Sequence, residues 1–274
     1  MKITKITILC ATATLLLSAT MSMAFQSATQ SSTAATTPAA PAAKKTPAAK
    51  TKTELDAYKA AAAITDAAKL EAAANDFAQK FPNSELRPLL FQQAMGFYEH
   101  ANNSGKTLEM ARDVLKYDPT NAVALLAAGQ ILSERTHNED LDRDARLDEA
   151  SADARSALQH SGDLQQPANM TPEQFAVILA DMRGSAHEVL GEVAFKKLDY
   201  FNAIKEYNAA VVEEKDHVDA VTYLRLAVAY DKTEDYLTAL DTIQKAIKVS
   251  EPGSQVRQIS EQEKERLDKL TPIK

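Results

Sequence analysis

The chain has few of the residues that stabilise or activate proteins through sulfur chemistry. Its single cysteine, Cys10, lies in an N-terminal apolar run, and none follows it. Beyond that run the chain therefore has no means of forming a disulfide, a thiolate metal site or a cysteine nucleophile. Glycine and proline are also sparse after residue 53, alanine is abundant, and the Val-Ile-Thr alternation of strands is missing. This composition predicts helices throughout and no β-sheet.

The N-terminus has the three parts of an export signal. Met1–Lys5 is basic, Ile6–Leu17 is apolar, and Ser22-Met23-Ala24 provides small residues for a signal peptidase. We expect residues 1–24 to be a signal peptide that is cleaved after Ala24, so that the protein is exported to the periplasm or cell envelope. An uncleaved membrane anchor is the alternative. Lipid attachment to Cys10 is not expected, because Cys10 lies within the apolar run and not after it.

Residues 25–52 are predicted to form a disordered tether. The segment consists of Ala, Thr, Ser, Pro and Lys, and Pro38, Pro41 and Pro47 exclude a continuous helix. It has no large apolar residue after Phe25 that could anchor a core. Two interpretations stay open, a spacer that holds the folded part away from a membrane or wall, and a solubilising leader.

Charge is distributed unevenly along the chain. The first 52 residues carry six lysines and no acid, so the net charge of -7 for the whole chain corresponds to -13 for residues 53–274. An acidic body without a basic stripe argues against nucleic acid and against an anionic membrane surface as ligands. Membrane association is expected only if the N-terminal segment is kept.

A near-repetition organises the C-terminal part. Asp199-Tyr200-Phe201-Asn202-Ala203 returns as Asp235-Tyr236-Leu237-Thr238-Ala239, about three dozen residues later. A period of this length built from two helices is typical of stacked helical arrays, in which each unit buries its apolar face against its neighbours.

The residues within this period resemble the tetratricopeptide repeat family, in the form found in exported bacterial proteins. Leu190-Gly191 lies on the first helix of one unit, and Ala203, Tyr207 and Ala210 lie on its second helix. The sequence Asp118-Pro119-Thr120-Asn121 closes an earlier unit as the family's Asp-Pro-x-Asn does. The small residues allow close helix approach, and Tyr207 is expected to fill the space between units.

This resemblance implies an all-α fold, a right-handed superhelical solenoid of helix pairs with a C-terminal capping helix. The helical repeat domain would span residues 53–274. Its units are expected at about 53–84, 88–121, 122–160, 184–217 and 220–253, with the cap at 254–270. Val256, Ile259, Leu267 and Leu270 are the apolar residues expected to attach the cap.

Two segments depart from a regular array. An acidic insertion, residues 136–144, interrupts the third unit, and its spacing of oxygen side chains resembles a calcium loop except that Arg143 stands where the loop needs glycine. We therefore expect a solvated insertion. Thr171-Pro172-Glu173-Gln174 then marks a helix start, and this helix is either unusually long or broken near Gly184.

The sequence contains no recognisable catalytic constellation. Phosphate-loop, serine-hydrolase and zinc-peptidase motifs are missing, and the five histidines have no ligand-like spacing. We expect no enzyme activity, no metal and no cofactor. A hydrolase stays the less favoured alternative.

The candidate site is the groove that the resemblance places on the first helices of the units. The family register implies a mixed apolar and acidic lining that departs from the basic clamp some family members use for a peptide carboxylate. The partner would be a protein or peptide segment, apolar with basic flanks. The predicted function is a non-catalytic interaction scaffold; a structural role in envelope or outer-membrane assembly is the alternative. The lining is predicted to be Gln92, Glu99, Gln130, Glu134, Glu188, Glu192, Phe195, Leu224, Val228 and Asp231.

Overall fold

The computed structural model describes residues 46–271, and every regular element in this part of the chain is helical. The all-α prediction is therefore confirmed for these residues. The predicted signal peptide and residues 25–45 of the predicted tether lie outside them. Single 3-10 turns follow α6 and α8. The helices are α1 Lys52–Ala62, α2 Ala67–Lys80, α3 Arg87–His100, α4 Ser104–Tyr117, α5 Ala122–Arg135, α6 Arg143–His160, α7 Pro172–Lys196, α8 Tyr200–Glu214, α9 Ala220–Lys232, α10 Tyr236–Val249 and α11 Gln255–Leu270.

Short polar side chains define where most of these helices begin. In nine of them a Ser, Thr, Asp or Asn side chain accepts a hydrogen bond from the backbone N–H three residues on. Asp199 and Asp235, the equivalent aspartates of the near-repetition, begin α8 and α10 in this way. Thr171 and Gln174 form the predicted capping box, and α7 continues unbroken through Gly184 for 25 residues.

The helices pack in chain order. Among the described residues, every helix pair that packs extensively is either consecutive or separated by one helix, as in α1 with α3, α5 with α7 and α9 with α11. The buried apolar side chains accordingly form three successive clusters. The largest spans α1 to α7, the second surrounds Tyr207 between α7, α8 and α9, and the third surrounds Ile243 between α9, α10 and α11.

Glycine allows helices α7 and α8 to pack closely. A Cβ atom added to Gly191 would lie 2.7 Å from the ring of Tyr207, which is far inside van der Waals contact. Tyr207, Ala203 and Ala210 are buried, as the sequence predicts. Tyr230, in contrast, is only half-buried, and its hydroxyl accepts a hydrogen bond from Asn208 Nδ2 at 2.9 Å. Gly191 and Tyr207 thus meet at the α7–α8 contact.

Helix α11 closes the C-terminal end of the described chain by packing on α10 and α9. Leu267 is fully buried there, whereas Ile259 and Leu270 are 43% and 45% exposed. The prediction that all of its apolar residues attach the helix is therefore wrong for these two. Arg257 contributes a polar contact, because its Nη1 donates to the carbonyl oxygen of Ile247 at 3.0 Å.

The described end of the predicted tether lies against the helices. The backbone N–H of Ala48 donates to Glu85, and Lys50 Nζ donates to the carbonyl oxygen of Asn83 at 2.7 Å. The hydroxyl of Thr46 donates to Gln165, in the loop before α7. Helix α1 begins directly afterwards, at Lys52. Within the described part of the chain, no helix combines the length and apolar character needed to span a bilayer.

Candidate functional site

The ten residues of the predicted groove lie on four helices, α3, α5, α7 and α9, which are the first helices of the predicted units. All of them are half-buried except Glu99, which is buried. The apolar members Phe195, Leu224 and Val228 lie on α7 and α9. Phe195 also makes an edge contact with Tyr200, with 5.3 Å between the ring centres.

Helices α7 and α9 are joined through the predicted acids. Glu188 accepts a hydrogen bond from the hydroxyl of Thr222. Glu192 lies 3.5 Å from Arg225 Nε, and it accepts a hydrogen bond of 3.1 Å from the hydroxyl of Tyr207. These two acids therefore take part in packing between helices.

A lysine from α7 joins that helix to the end of α5. Lys196 Nζ donates to the carbonyl oxygens of Ser133, Glu134 and Thr136, with 2.9 Å to that of Thr136, and it lies 3.4 Å from Glu192. These carbonyls have no helical partner at a helix C-terminus, and a cation stabilises that end of the helix dipole. We call Lys196 and its acceptors the α5–α7 clamp.

The acidic insertion takes part in the same junction. Thr136, its first residue, supplies one carbonyl to the clamp, and Arg143 Nη2 donates to the carbonyl oxygen of Lys196. Asp140 accepts a hydrogen bond from the backbone N–H of His137 and lies 3.3 Å from Arg146. The insertion is therefore held by ion pairs and helix-end contacts. Among residues 46–271, no three His, Cys, Asp or Glu side chains are placed to hold a metal ion.

The two ends of the predicted groove differ in how their polar groups are satisfied. At the C-terminal end, Asp231 lies 2.5 Å from Arg266 of α11. At the N-terminal end, Gln92 of α3 accepts a hydrogen bond from Asn121, the cap of α5, at 3.2 Å. Glu99 Oε1 and Gln130 Oε1 are buried, and neither has a hydrogen-bond partner among the described residues.

Burial and neighbouring charges change the acid–base properties of this face. Burial raises the pKa of Glu99 to about 7. Burial also raises the pKa of Glu134, although Arg225 and Lys196 oppose the change. For Arg225, burial acts to lower the pKa, but the charges of Glu192 and its neighbours outweigh it and the pKa lies above its ordinary value. The face therefore combines paired charges around Arg225 with a poorly solvated carboxyl at Glu99.

Sequence reasoning missed the two cations of this face. Lys196 lies four residues after Glu192, a spacing that brings helical side chains together and could have revealed the pair. Arg225 is 33 residues from Glu192, and nothing local indicates their contact. The C-terminal part of the lining is consequently less acidic than the predicted residues alone suggest.

Two other surfaces have distinctive composition. A cleft of about 340 Å³ between α4, α5 and α6 is lined by three apolar and four charged residues, among which Arg112 and Glu149 pair at 2.7 Å. Phe201 and Leu237, at the same position of the near-repetition, are 79% and 74% exposed on α8 and α10. Neither surface includes a residue of the predicted groove. The cleft is lined by Leu108, Arg112, Leu132, Asp142, Ala145, Arg146 and Glu149.

Comparison with known proteins assigns no family to the chain. No protein-family model matches it, and no curated protein shows significant similarity to it.

Proposed function

We propose that this protein is a non-catalytic scaffold that binds a segment of another protein along the face formed by α3, α5, α7 and α9. We further propose that its helix pairs form a right-handed, tetratricopeptide-like solenoid and that the protein acts in the periplasm or cell envelope after export. The observation that carries the proposal is the chain-order packing of the helices, since such packing leaves one row of first helices available to an extended ligand.

The packing residues support the solenoid. Gly191 and Tyr207 meet on α7 and α8 as the tetratricopeptide pattern requires, and the same aspartate cap begins the second helix of two successive units. Helix α11 covers the last pair with one buried leucine and a polar outer side, which suits a terminal cap.

The lining indicates what the partner segment would offer. Phe195, Leu224 and Val228 are half-buried apolar residues on neighbouring first helices, so apolar partner side chains suit this part. Glu188 and Glu192 already have donors within the protein. The basic flank expected of the partner therefore belongs elsewhere along the face, toward Glu99 on α3.

A photo-crosslinking experiment with matched positions tests this proposal. A photoreactive phenylalanine would replace either Val228, on the proposed face, or Val212, which is 72% exposed on α8. We expect the probe at position 228 to yield a defined crosslinked protein in the cell envelope, which mass spectrometry would identify and which purified components would reproduce. The probe at position 212 should not yield that product.

The outcome has three informative alternatives. Equal products from both positions would indicate non-specific contact and contradict the proposed face. No product from either position, in cells where the protein is folded and exported, would contradict a scaffold role. Crosslinking to many envelope components together with stable membrane or wall association would instead favour the structural role in envelope assembly.

A further inference from the structure

Glu99 differs from every other acid of the proposed face. Glu188, Glu192 and Asp231 have donors, and Glu134 experiences the charges of Arg225 and Lys196. Glu99 is only 8% exposed, and its Oε1 has no hydrogen-bond partner among the described residues. Its pKa is raised by burial, and no neighbouring charge contributes. A buried carboxyl in this state is costly, because desolvation is not offset by a donor.

The position of Glu99 on α3 shows which neighbour it faces. Gln92 and Glu99 are seven residues apart, so they lie on the same face of the helix, two turns from each other. Gln92 binds Asn121 at the start of α5, and this face of α3 is therefore turned toward α5. The backbones of α3 and α5 come close at very few points, whereas α5 packs along α7. We call the region between these parts of α3 and α5 the α3–α5 seam.

Helix α5 adds a second acceptor of the same kind. Gln130 Oε1 is buried and has no donor among the described residues, and Gln130 is half-buried overall. A ligand group suited to Glu99 would donate hydrogen bonds and carry a positive charge. An ammonium has three donors and no acceptor, which matches this requirement.

We propose that the α3–α5 seam receives a lysine side chain of the protein partner, whose ammonium pairs with Glu99. The inference rests on the proposed function, and it locates the basic flank of the partner near α3. Lysine suits the seam better than arginine, since a compact ammonium on an unbranched stem needs less width than a planar guanidinium. Because Glu99 Oε1 has no exposed surface, α3 and α5 must part slightly to admit it.

The first experiment uses n-butylammonium, which reproduces the end of a lysine side chain. The full chain, labelled with ¹³C at the glutamate carboxyl groups, would be titrated with pH in the presence of n-butylammonium or of 1-butanol, its uncharged match. We expect n-butylammonium to lower the pKa of Glu99 from about 7, because a nearby cation favours the carboxylate. The alcohol should leave it unchanged.

Two variants identify the resonance and the site. Glu99→Gln should remove the titrating signal and the response to n-butylammonium. Glu139→Gln, an exposed residue of the insertion, should retain both. A pKa of Glu99 that does not move with n-butylammonium, or that moves equally with the alcohol, would overturn the inference.

The second experiment uses the crosslinked partner, and it distinguishes a failure of the lysine site from a failure of the scaffold proposal. For the crosslinked partner, Glu99→Gln is expected to weaken binding about a hundredfold, within the range measured when one member of a buried charge pair is removed. Replacing the partner lysine that pairs with Glu99 by methionine should weaken binding by a similar factor. Combining this change with Glu99→Gln should weaken binding little more than either change alone. If a partner is captured at position 228 but Glu99→Gln binds it equally, the lysine site fails and the scaffold stands. If n-butylammonium lowers the pKa of Glu99 but no partner is captured, the scaffold proposal fails and the proposal of a cation site at Glu99 stands.

Discussion

Replacing Lys196 by methionine should destabilise the protein far more than the same change at Lys197. The two lysines are adjacent, but only Lys196 forms the α5–α7 clamp, in which its side chain is 19% exposed. Lys197 instead pairs with Asp148, and these side chains are 35% and 70% exposed. Comparing the two variants therefore separates a clamp at a helix end from a surface ion pair of the same residue type.

The contacts of the two lysines give the expected losses in the free energy of unfolding. Methionine fills a similar volume, so Lys196→Met chiefly leaves three carbonyl oxygens and Glu192 without their charged donor. Hydrogen bonds to charged groups contribute about 1.5–3 kcal/mol each, but water can replace part of this at a half-buried site, so we expect a loss of about 3 kcal/mol. A surface pair contributes at most about 1 kcal/mol, which limits the effect of Lys197→Met.

Urea unfolding followed by circular dichroism measures both losses. Amide hydrogen exchange provides a local readout, since release of the clamp should increase exchange toward the end of α5 near Arg135. Equal losses of stability in the two variants would refute the reasoning, as would a Lys196→Met variant with unchanged exchange in α5.

The same face and its supporting contacts give three further predictions. Glu99 should lower the free energy of unfolding as pH rises from about 4.5 to about 7, because its pKa is about 7 in the folded protein and its ordinary value is 4.5. The full effect is about 3 kcal/mol. Unfolding curves collected at successive pH values should show this loss in the wild type and not in Glu99→Gln. Gly191→Ala should cost about 1–3 kcal/mol in urea unfolding, since the added Cβ meets the ring of Tyr207. Arg225→Met should cost about 2 kcal/mol in urea unfolding, because it removes the partly buried cation that lies 3.5 Å from Glu192.

Each of these predictions has a distinct contrary result. For Glu99, a difference between wild type and variant that stays constant from pH 5 to pH 8 would contradict a buried, unpartnered carboxyl. For Gly191, an alanine variant of unchanged stability would show that the tyrosine ring moves freely. For Arg225, a methionine variant of unchanged stability would show that the ion pair with Glu192 contributes nothing in solution.

Much of the fold is predictable from the sequence, because local signals define it. The aspartates at 199 and 235 begin helices through a bond to the backbone three residues on, a contact that short-range spacing reveals. Gly191 and Tyr207 likewise form a contact that the repeat pattern anticipates. The continuity of α7 is not predictable in this way, since a glycine inside a helix permits either result.

The charged contacts of the candidate site are less predictable, because they join segments distant in the chain. Lys196 reaches carbonyl groups 60 to 63 residues away, at the end of α5. The resemblance to tetratricopeptide repeats predicts that Glu99 lines the groove, yet Glu99 is buried, because its face of α3 is turned toward α5. Such pairings depend on how neighbouring helices are rotated against each other, which no local pattern specifies.

The length of α7 has a consequence for cooperativity. Its 25 residues contribute Met182 and Val189 to the large N-terminal cluster, while Ala194 and Phe195 pack on the cluster around Tyr207. One continuous rod of about 38 Å thus belongs to both halves of the described chain. Mechanical strain applied to either half would be transmitted along α7, so the middle of the described chain should resist stepwise unfolding.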